Sequence, residues 1–231
     1  MIARATVAEF IGTLLLLTAV VGSGIMAQRL CGGNVGLALL ANAIATAGAL
    51  IALILAFGPV SGAHFNPAVT LADAWENREH RARVPAFIAA QCAGALAGTG
   101  LADAMFGLPP WFASHHARSG TPLLASEFVA TFGLLAVIAG CSRVRSTATP
   151  FAVAAYIAGA YWFTPSTSFA NPAVTIARAL TDTFAGIRPL DAPGFIVAQF
   201  AGGAAAVALF AWLLPLAGSR DASLAGGDAV G

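Results

Sequence analysis

Apolar residues run along this chain in unbroken blocks rather than in amphipathic stripes, and six of the blocks are long: 5–27, 35–57, 84–106, 124–142, 147–165 and 193–215. A helix rises about 1.5 Å per residue, so about 20 residues cross a hydrocarbon layer about 30 Å thick. Runs such as Val35–Phe57 lack the strict alternation of a barrel strand. The pattern therefore predicts six transmembrane helices in an all-α membrane protein. The first block contains Glu9 and continues to Met26, longer than the apolar core of a signal peptide, and reads as a retained span. At the other end Ala217–Gly231 is rich in Gly and Ala and reads as a disordered tail.

The pattern also repeats. Ala-Glu-Phe-Ile-Gly-Thr at 8–13 returns as Ser-Glu-Phe-Val-Ala-Thr at 126–131. The third and sixth spans share Pro85/Pro193, Phe87/Phe195, Gln91/Gln199 and Gly94/Gly202 at one constant offset. Each half holds three crossings, an odd number, so the second half must enter the membrane from the opposite face. This predicts one domain over 1–216, made of inverted repeats at about 1–110 and 120–216, with its solute site near mid-bilayer at the repeat interface.

Between matching spans of each half sits the same tetrapeptide, Asn66-Pro67-Ala68-Val69 and Asn171-Pro172-Ala173-Val174. Asn caps a helix because its side-chain oxygen accepts from an orphan N–H of the first turn. Proline suits the first helical position, where no donor is lost. The apolar stretches that follow, Ala68–Ala74 and Ala173–Leu180, give about 10–12 Å of helix, less than half a crossing. Two such pieces entering from opposite faces can abut tip to tip. Irregular backbone at membrane depth is tolerated only where it is buried or lines a wet cavity. Hence Gly62, Ala63, His64 and Phe65, and in the second copy Phe169 and Ala170, are expected to wall a narrow path with carbonyl acceptors. The Asn66 and Asn171 amides are expected to remain free to donate at its centre. Both helix N-termini add positive partial charge there, a field that opposes cations and hydronium.

Composition narrows the class. With 58% hydrophobic and 9% charged residues the chain cannot be an ordinary soluble domain. A net charge of +1 argues against a nucleic-acid partner. All eleven basic residues are arginine. With the N-terminus inside, Arg4, Arg78, Arg81, Arg83, Arg143, Arg145 and Arg220 fall inside and Arg29, Arg118, Arg178 and Arg188 outside, a bias that favours both termini in the cytoplasm. Cys31, Cys92 and Cys141 suggest neither a disulfide framework nor a zinc site. The adjacent His115 and His116 read as solvated loop residues rather than a metal site. The spans hold no Ser/His dyad or paired aspartates, so no catalytic residue and no cofactor is called for. The alternative within the membrane class is a secondary transporter, which also uses inverted repeats. Its coupling site would need acids, and spans two, three, five and six carry only Asp103.

Ser61-Gly62-Ala63-His64-Phe65-Asn66-Pro67-Ala68-Val69-Thr70, the second Asn-Pro-Ala and the paired Glu-Phe segments resemble the aquaporins, or major intrinsic proteins, as far as about Leu216. The resemblance implies six helices plus two re-entrant half-helices, one pore per subunit, a homotetramer in the cell's inner membrane, and passage of water and small neutral solutes. It assigns Asn66, Pro67, Ala68, Asn171, Pro172 and Ala173 to the pore centre, and Glu9 and Glu127 to bracing of the re-entrant loops. Counting back from the Asn residues, it sets the filter at Thr46, Gly159 or Ala160, Ser168 and Val174. The family usually has arginine where this chain has Val174, and neither the water-selective nor the glycerol pattern fits. Such a filter would be wide, uncharged and mildly polar. The Val174 substitution resembles aquaglyceroporins of bacterial arsenic-resistance clusters, which implies arsenous acid or methylated arsenicals as solutes beside glycerol-like polyols. Arg178, four residues beyond Val174 on the same helix face, either reaches back into the filter or snorkels to the outer headgroups.

Overall fold

The computed structural model describes residues 2–214, so the expected disordered tail at 217–231 lies outside the described residues. The described residues form eight α-helices and no strand: α1 (Ile2–Leu30), α2 (Val35–Ser61), α3 (Pro67–Glu76), α4 (Val84–Met105), α5 (Thr121–Val144), α6 (Thr149–Phe163), α7 (Pro172–Arg178) and α8 (Ala192–Leu213). Short 3-10 turns at Arg78–Arg83 and Ser146–Ala148 lead into α4 and α6. The fold is the helical bundle with two short inserted helices that the apolar pattern calls for.

Five helices, α1, α2, α4 with its leading turn, α5 and α8, are long and apolar enough to cross a membrane. The fifth crossing differs from expectation. A span was expected at 147–165, but α6 has only 15 residues, about 22 Å of helix. Thr164 precedes Pro165 and is extended (φ −116°, ψ 133°), as the ring of a following proline demands. Irregular chain up to Ala170 follows it. In the other direction α2 runs past the expected Phe57 to Ser61 and stops at Gly62, which adopts a left-handed φ of 92°, open to glycine at little cost.

The helices pair in the same pattern in the two halves. Helix α1 lies against α2 and α4, α5 lies against α6 and α8, and α2 meets α6 across the middle. Both short helices, α3 and α7, pack between α4 and α8 and touch each other. The tightest crossings are made by glycine: a Cβ on Gly94 would sit 2.3 Å from the Phe10 carbonyl oxygen, and one on Gly202 would sit 2.2 Å from that of Phe128. With no side chain between them, backbones approach closely enough for dispersion to hold helices together where lipid supplies no hydrophobic drive.

Candidate functional site

The two short helices begin as their sequences dictate. Asn66 and Asn171 are extended (φ −155° and −157°) and each is followed by proline in the first turn. Asn66 Oδ1 accepts from the Ala68 N–H at 2.9 Å, and Asn171 Oδ1 from those of Ala173 and Val174 at 3.0 and 3.3 Å. The amide nitrogens then cross between the halves. Asn66 Nδ2 donates to the Ala170 carbonyl and Asn171 Nδ2 to the Phe65 carbonyl, both at 2.8 Å. The tips of α3 and α7 are thus tied by a reciprocal pair of bonds. This revises the expectation of wholly free amides: each NH₂ carries two protons, spends one on the opposite loop, and keeps one.

The loops leading to these caps are strained and heavily braced. Ala63 and Phe65, and at the equivalent places Ser168 and Ala170, have φ between 49° and 51°. For a residue with a side chain that region costs about 1–2 kcal/mol, so something must hold it. Glu9 does so in the first loop, where its Oε1 accepts from Ser61 Oγ (2.6 Å) and the His64 N–H (3.0 Å). Its Oε2 accepts from the Phe65 N–H and Gln91 Nε2 (both 2.7 Å). Glu127 accepts from the Phe169 and Ala170 N–H groups (both 2.9 Å) and from Gln199 Nε2 (2.6 Å). Both acids are fully buried, and charge-assisted bonds of this kind offset the desolvation of a carboxylate. Gln91 also donates to Thr70 Oγ1 at 2.8 Å and Gln199 to Thr175 Oγ1 at 2.9 Å, fastening each short helix to a long one. The two glutamines were visible in the sequence only as repeat markers. Their role appears once the third and sixth spans lie beside the acids.

A single cavity of about 370 Å³ runs past these tips. Asp73, Glu76 and Asn77 line it at one end, His64 and the two Asn residues lie along it, and Arg178 lines it at the other. Gly62, Ala63, Phe65, Phe169 and Ala170 line it as well. Pro67, Ala68, Pro172 and Ala173 do not; they are buried among neighbouring side chains, Ala68 with Leu135 and Ala206 and Ala173 within the cluster around Leu17 and Val21. Of the six residues assigned to the pore centre, only the two Asn reach it. A cap side chain folds over the helix tip, whereas the first helical residues point sideways into packing.

Thr46, Ser168, Val174 and Arg178 line the same cavity, but Gly159 and Ala160 do not. Ala160 is wholly buried and Gly159 faces outward. The α6 residues on the cavity wall are Thr149, Val153, Ile157 and Tyr161, an i, i+4, i+8, i+12 stripe. Counting from Asn171 fails because it passes through irregular backbone at 164–170, whose rise per residue is not that of a helix. The stripe itself, with its one buried phenol, was the available signal. The passage is consequently narrower here than a Gly or Ala would leave it.

Arg178 does not snorkel: it is 2% exposed. Its guanidinium lies 3.4 Å from the centre of the Phe169 ring, and its Nε donates to the Ala185 carbonyl. Arg118 lies 5.2 Å from the same ring, donates from Nε to the Gly186 carbonyl at 2.8 Å and from Nη1 to that of Ser166 at 3.2 Å. The loop that receives these cations is anchored by Thr181 donating to Asp103 at 2.8 Å, and by Asp182, which accepts from the His115 N–H at 2.8 Å and pairs with His115 Nδ1 at 2.9 Å. The adjacent histidines thus meet an aspartate. At the opposite mouth Asp73 joins His80 Nδ1 (2.7 Å), Arg83 (3.0 Å) and Asn77 (2.9 Å), and Glu76 pairs with Arg143 at 2.5 Å. Apart from the local Asp73–Asn77 pair at the end of α3, these mouth contacts were not legible beforehand, since they join residues from separate elements or loops whose path the sequence leaves open.

The family model described as "Major intrinsic protein" matches residues 1–164. Aquaglyceroporin AqpS of Rhizobium meliloti is 53% identical over 211 residues, 91% of this chain and 90% of that protein. Aquaporin NIP1-3 of Oryza sativa subsp. japonica is 36% identical over 185 residues, 77% of this chain and 64% of the relative. Among solved structures, the aquaglyceroporin from Plasmodium falciparum superposes with a TM-score of 0.63 at 22% identity, over 91% of this chain and 96% of that one. That likeness speaks for the fold.

Proposed function

The chain belongs to the major intrinsic protein family, and from that premise we propose that its cavity is a passive conduit for water and small uncharged hydroxylated solutes, with no chemical reaction and no ion coupling. The observation that carries this reading is the reciprocal pair of Asn–carbonyl bonds at 2.8 Å inside a continuous cavity. Two capped helix tips meet there, and their positive ends repel cations while the remaining amide protons replace hydration of a neutral solute. One channel domain over 1–216 made of two inverted repeats, both termini in the cytoplasm, an inner-membrane location and a homotetramer complete the reading.

Within that class we assign the filter to Thr46, Ser168 and Val174, with Arg178 supplying the cation that the position of Val174 lacks. Val174 leaves an apolar wall, which suits solutes such as arsenous acid or methylated arsenicals as well as glycerol-like polyols. The 53% identity to a protein named aquaglyceroporin supports a solute wider than water. Proteoliposomes tested with water, glycerol, urea and arsenous acid, with and without an ion gradient, are expected to swell independently of the gradient and to admit arsenous acid. Arsenous acid influx equal to that of empty vesicles would remove the arsenical specialisation; gradient-dependent flux would favour a transporter. Replacing Arg178 with Ala is expected to raise proton leak by at least tenfold at similar water flux, read with a pH dye inside the vesicles. An unchanged leak would take Arg178 out of the filter.

A further inference from the structure

The turn that joins α3 to α4, Arg78–Arg83, is a 3-10 helix, in which side chains three residues apart eclipse one another, so it has three faces. His80 and Arg83 share one face and both bond the Asp73 carboxylate, at 2.7 and 3.0 Å. Glu79 and Ala82 share the second. Arg78 and Arg81 share the third, and both are exposed. Among the described residues arginine–carboxylate pairs are made by Arg83, Arg143 and Arg188, so this last face carries two unpaired cations. Arg81 donates from Nε to the Ala74 carbonyl at 3.1 Å, which orients its guanidinium and leaves both Nη groups for an anion. Beside it runs a surface groove lined by Leu71, Ala74, Trp75, Val84 and Pro85. Trp75 is 71% exposed there, a large indole without cover.

Depth decides what can fill the groove. Helix α3 has 10 residues, about 15 Å of helix, which is half of a hydrocarbon core about 30 Å thick. With its tip at mid-bilayer, its far end, where Trp75 stands, reaches the boundary between hydrocarbon and headgroups, the level that suits an indole. Arg78 and Arg81, in the next turn, fall among the headgroups. An occupant must therefore be apolar along Leu71 and Trp75 and anionic at the arginines. We propose that the groove binds one anionic phospholipid of the inner leaflet, its phosphate gripped by Arg78 and Arg81 and an acyl chain lying along Leu71 and Trp75. The inference rests on the channel reading, which puts the α3 tip at mid-bilayer. Free phosphate would leave the apolar part empty, and a zwitterionic headgroup would bring its own cation to the two already there. Counted from Asn171 as these are from Asn66, the outer connection has Leu180, Thr183 and Gly186 in place of Trp75, Arg78 and Arg81, so the site belongs to one leaflet.

The test is tryptophan quenching by lipids brominated in their acyl chains, with the full chain in phosphatidylcholine vesicles. The Trp75 signal is the difference between the native chain and Trp75→Phe. Brominated phosphatidylglycerol is expected to quench it at a mole fraction about tenfold lower than brominated phosphatidylcholine does. Arg78→Gln and Arg81→Gln are each expected to lower that preference about fivefold, the worth of one arginine near an anionic surface. Arg145→Gln, at an exposed arginine just beyond α5, is expected to leave it unchanged. Equal quenching by the two lipids overturns the proposal, as does a preference that Arg145→Gln lowers as much as Arg81→Gln. Quenching by neither lipid means that protein covers Trp75, and overturns it too. Should the arginine variants fail to insert, the native preference is followed into about 1 M salt, where one that does not weaken is not electrostatic and overturns the site. Glycerol flux in the same vesicles separates the two failures: flux without lipid preference leaves the channel reading standing, and absence of flux sinks that reading instead.

Discussion

The two re-entrant segments, Gly62–Glu76 and Ser166–Arg178, share a frame and differ in what hangs on it. In both, a buried glutamate holds two backbone N–H groups, two non-glycine residues sit near φ 50°, an Asn caps the helix and reaches across, and a Gln–Thr bond fastens the helix to its neighbour. The first adds Ser61 and His64 and ends in an acidic mouth around Asp73 and Glu76. The second adds an aromatic ring, Phe169, with two arginines on it, and an unpartnered serine. What is duplicated builds the passage, and what is not duplicated gives its two ends different chemistry.

The sharpest way to break that comparison is to remove the shared brace. Glu9→Ala leaves four donors unserved and Glu127→Ala three. At about 1–3 kcal/mol per stranded buried group, each loses at least about 3 kcal/mol, with Glu9 the worse. Unfolding in detergent micelles monitored by circular dichroism measures this. A loss under about 1 kcal/mol for either acid would mean the loops hold their strained shape without it.

Next in size are the glycine crossings. Gly94→Ala and Gly202→Ala each push a methyl into a facing carbonyl and are expected to cost about 1–3 kcal/mol, equally in the two halves. Gly48→Ala, with nothing within 4 Å of its Cβ, is the control and should be neutral. Unequal costs for the first pair would show that the halves are alike in sequence but not in packing.

The smallest expected effect is confined to the outer loop. The His115 N–H and then its imidazole hold the Asp182 carboxyl below the usual carboxylate range. A lowered folded pKa means that its anchoring is present above the unfolded value and is lost as pH falls through the folded one. The protection of the amides around 114–116 against hydrogen exchange, taken relative to the intrinsic rate at each pH from pH 6 down to pH 3, is expected to fall a few-fold at the acid end, and Asp182→Asn to abolish that acid dependence. If Asp182→Asn retains the same pH profile, another group anchors the loop.

Much of this protein can be read from residue order. Apolar blocks of membrane-crossing length force helices, because no other open structure satisfies its backbone in lipid. Asn followed by Pro fixes where the short helices begin, since cap chemistry is local. The Glu-Phe and Gln repeats pair the halves before any coordinate is known. The residues that face the passage are another matter. Tyr161 rather than Gly159 or Ala160, Asn66 without Pro67 and Ala68, and Arg178 against Phe169 depend on how irregular segments of several residues set the rotation of one helix relative to another. That rotation is decided by side-chain packing between segments far apart in the chain, which residue order does not specify locally. Periodicity tells which residues share a face of a helix, and only the folded bundle tells which face looks inward.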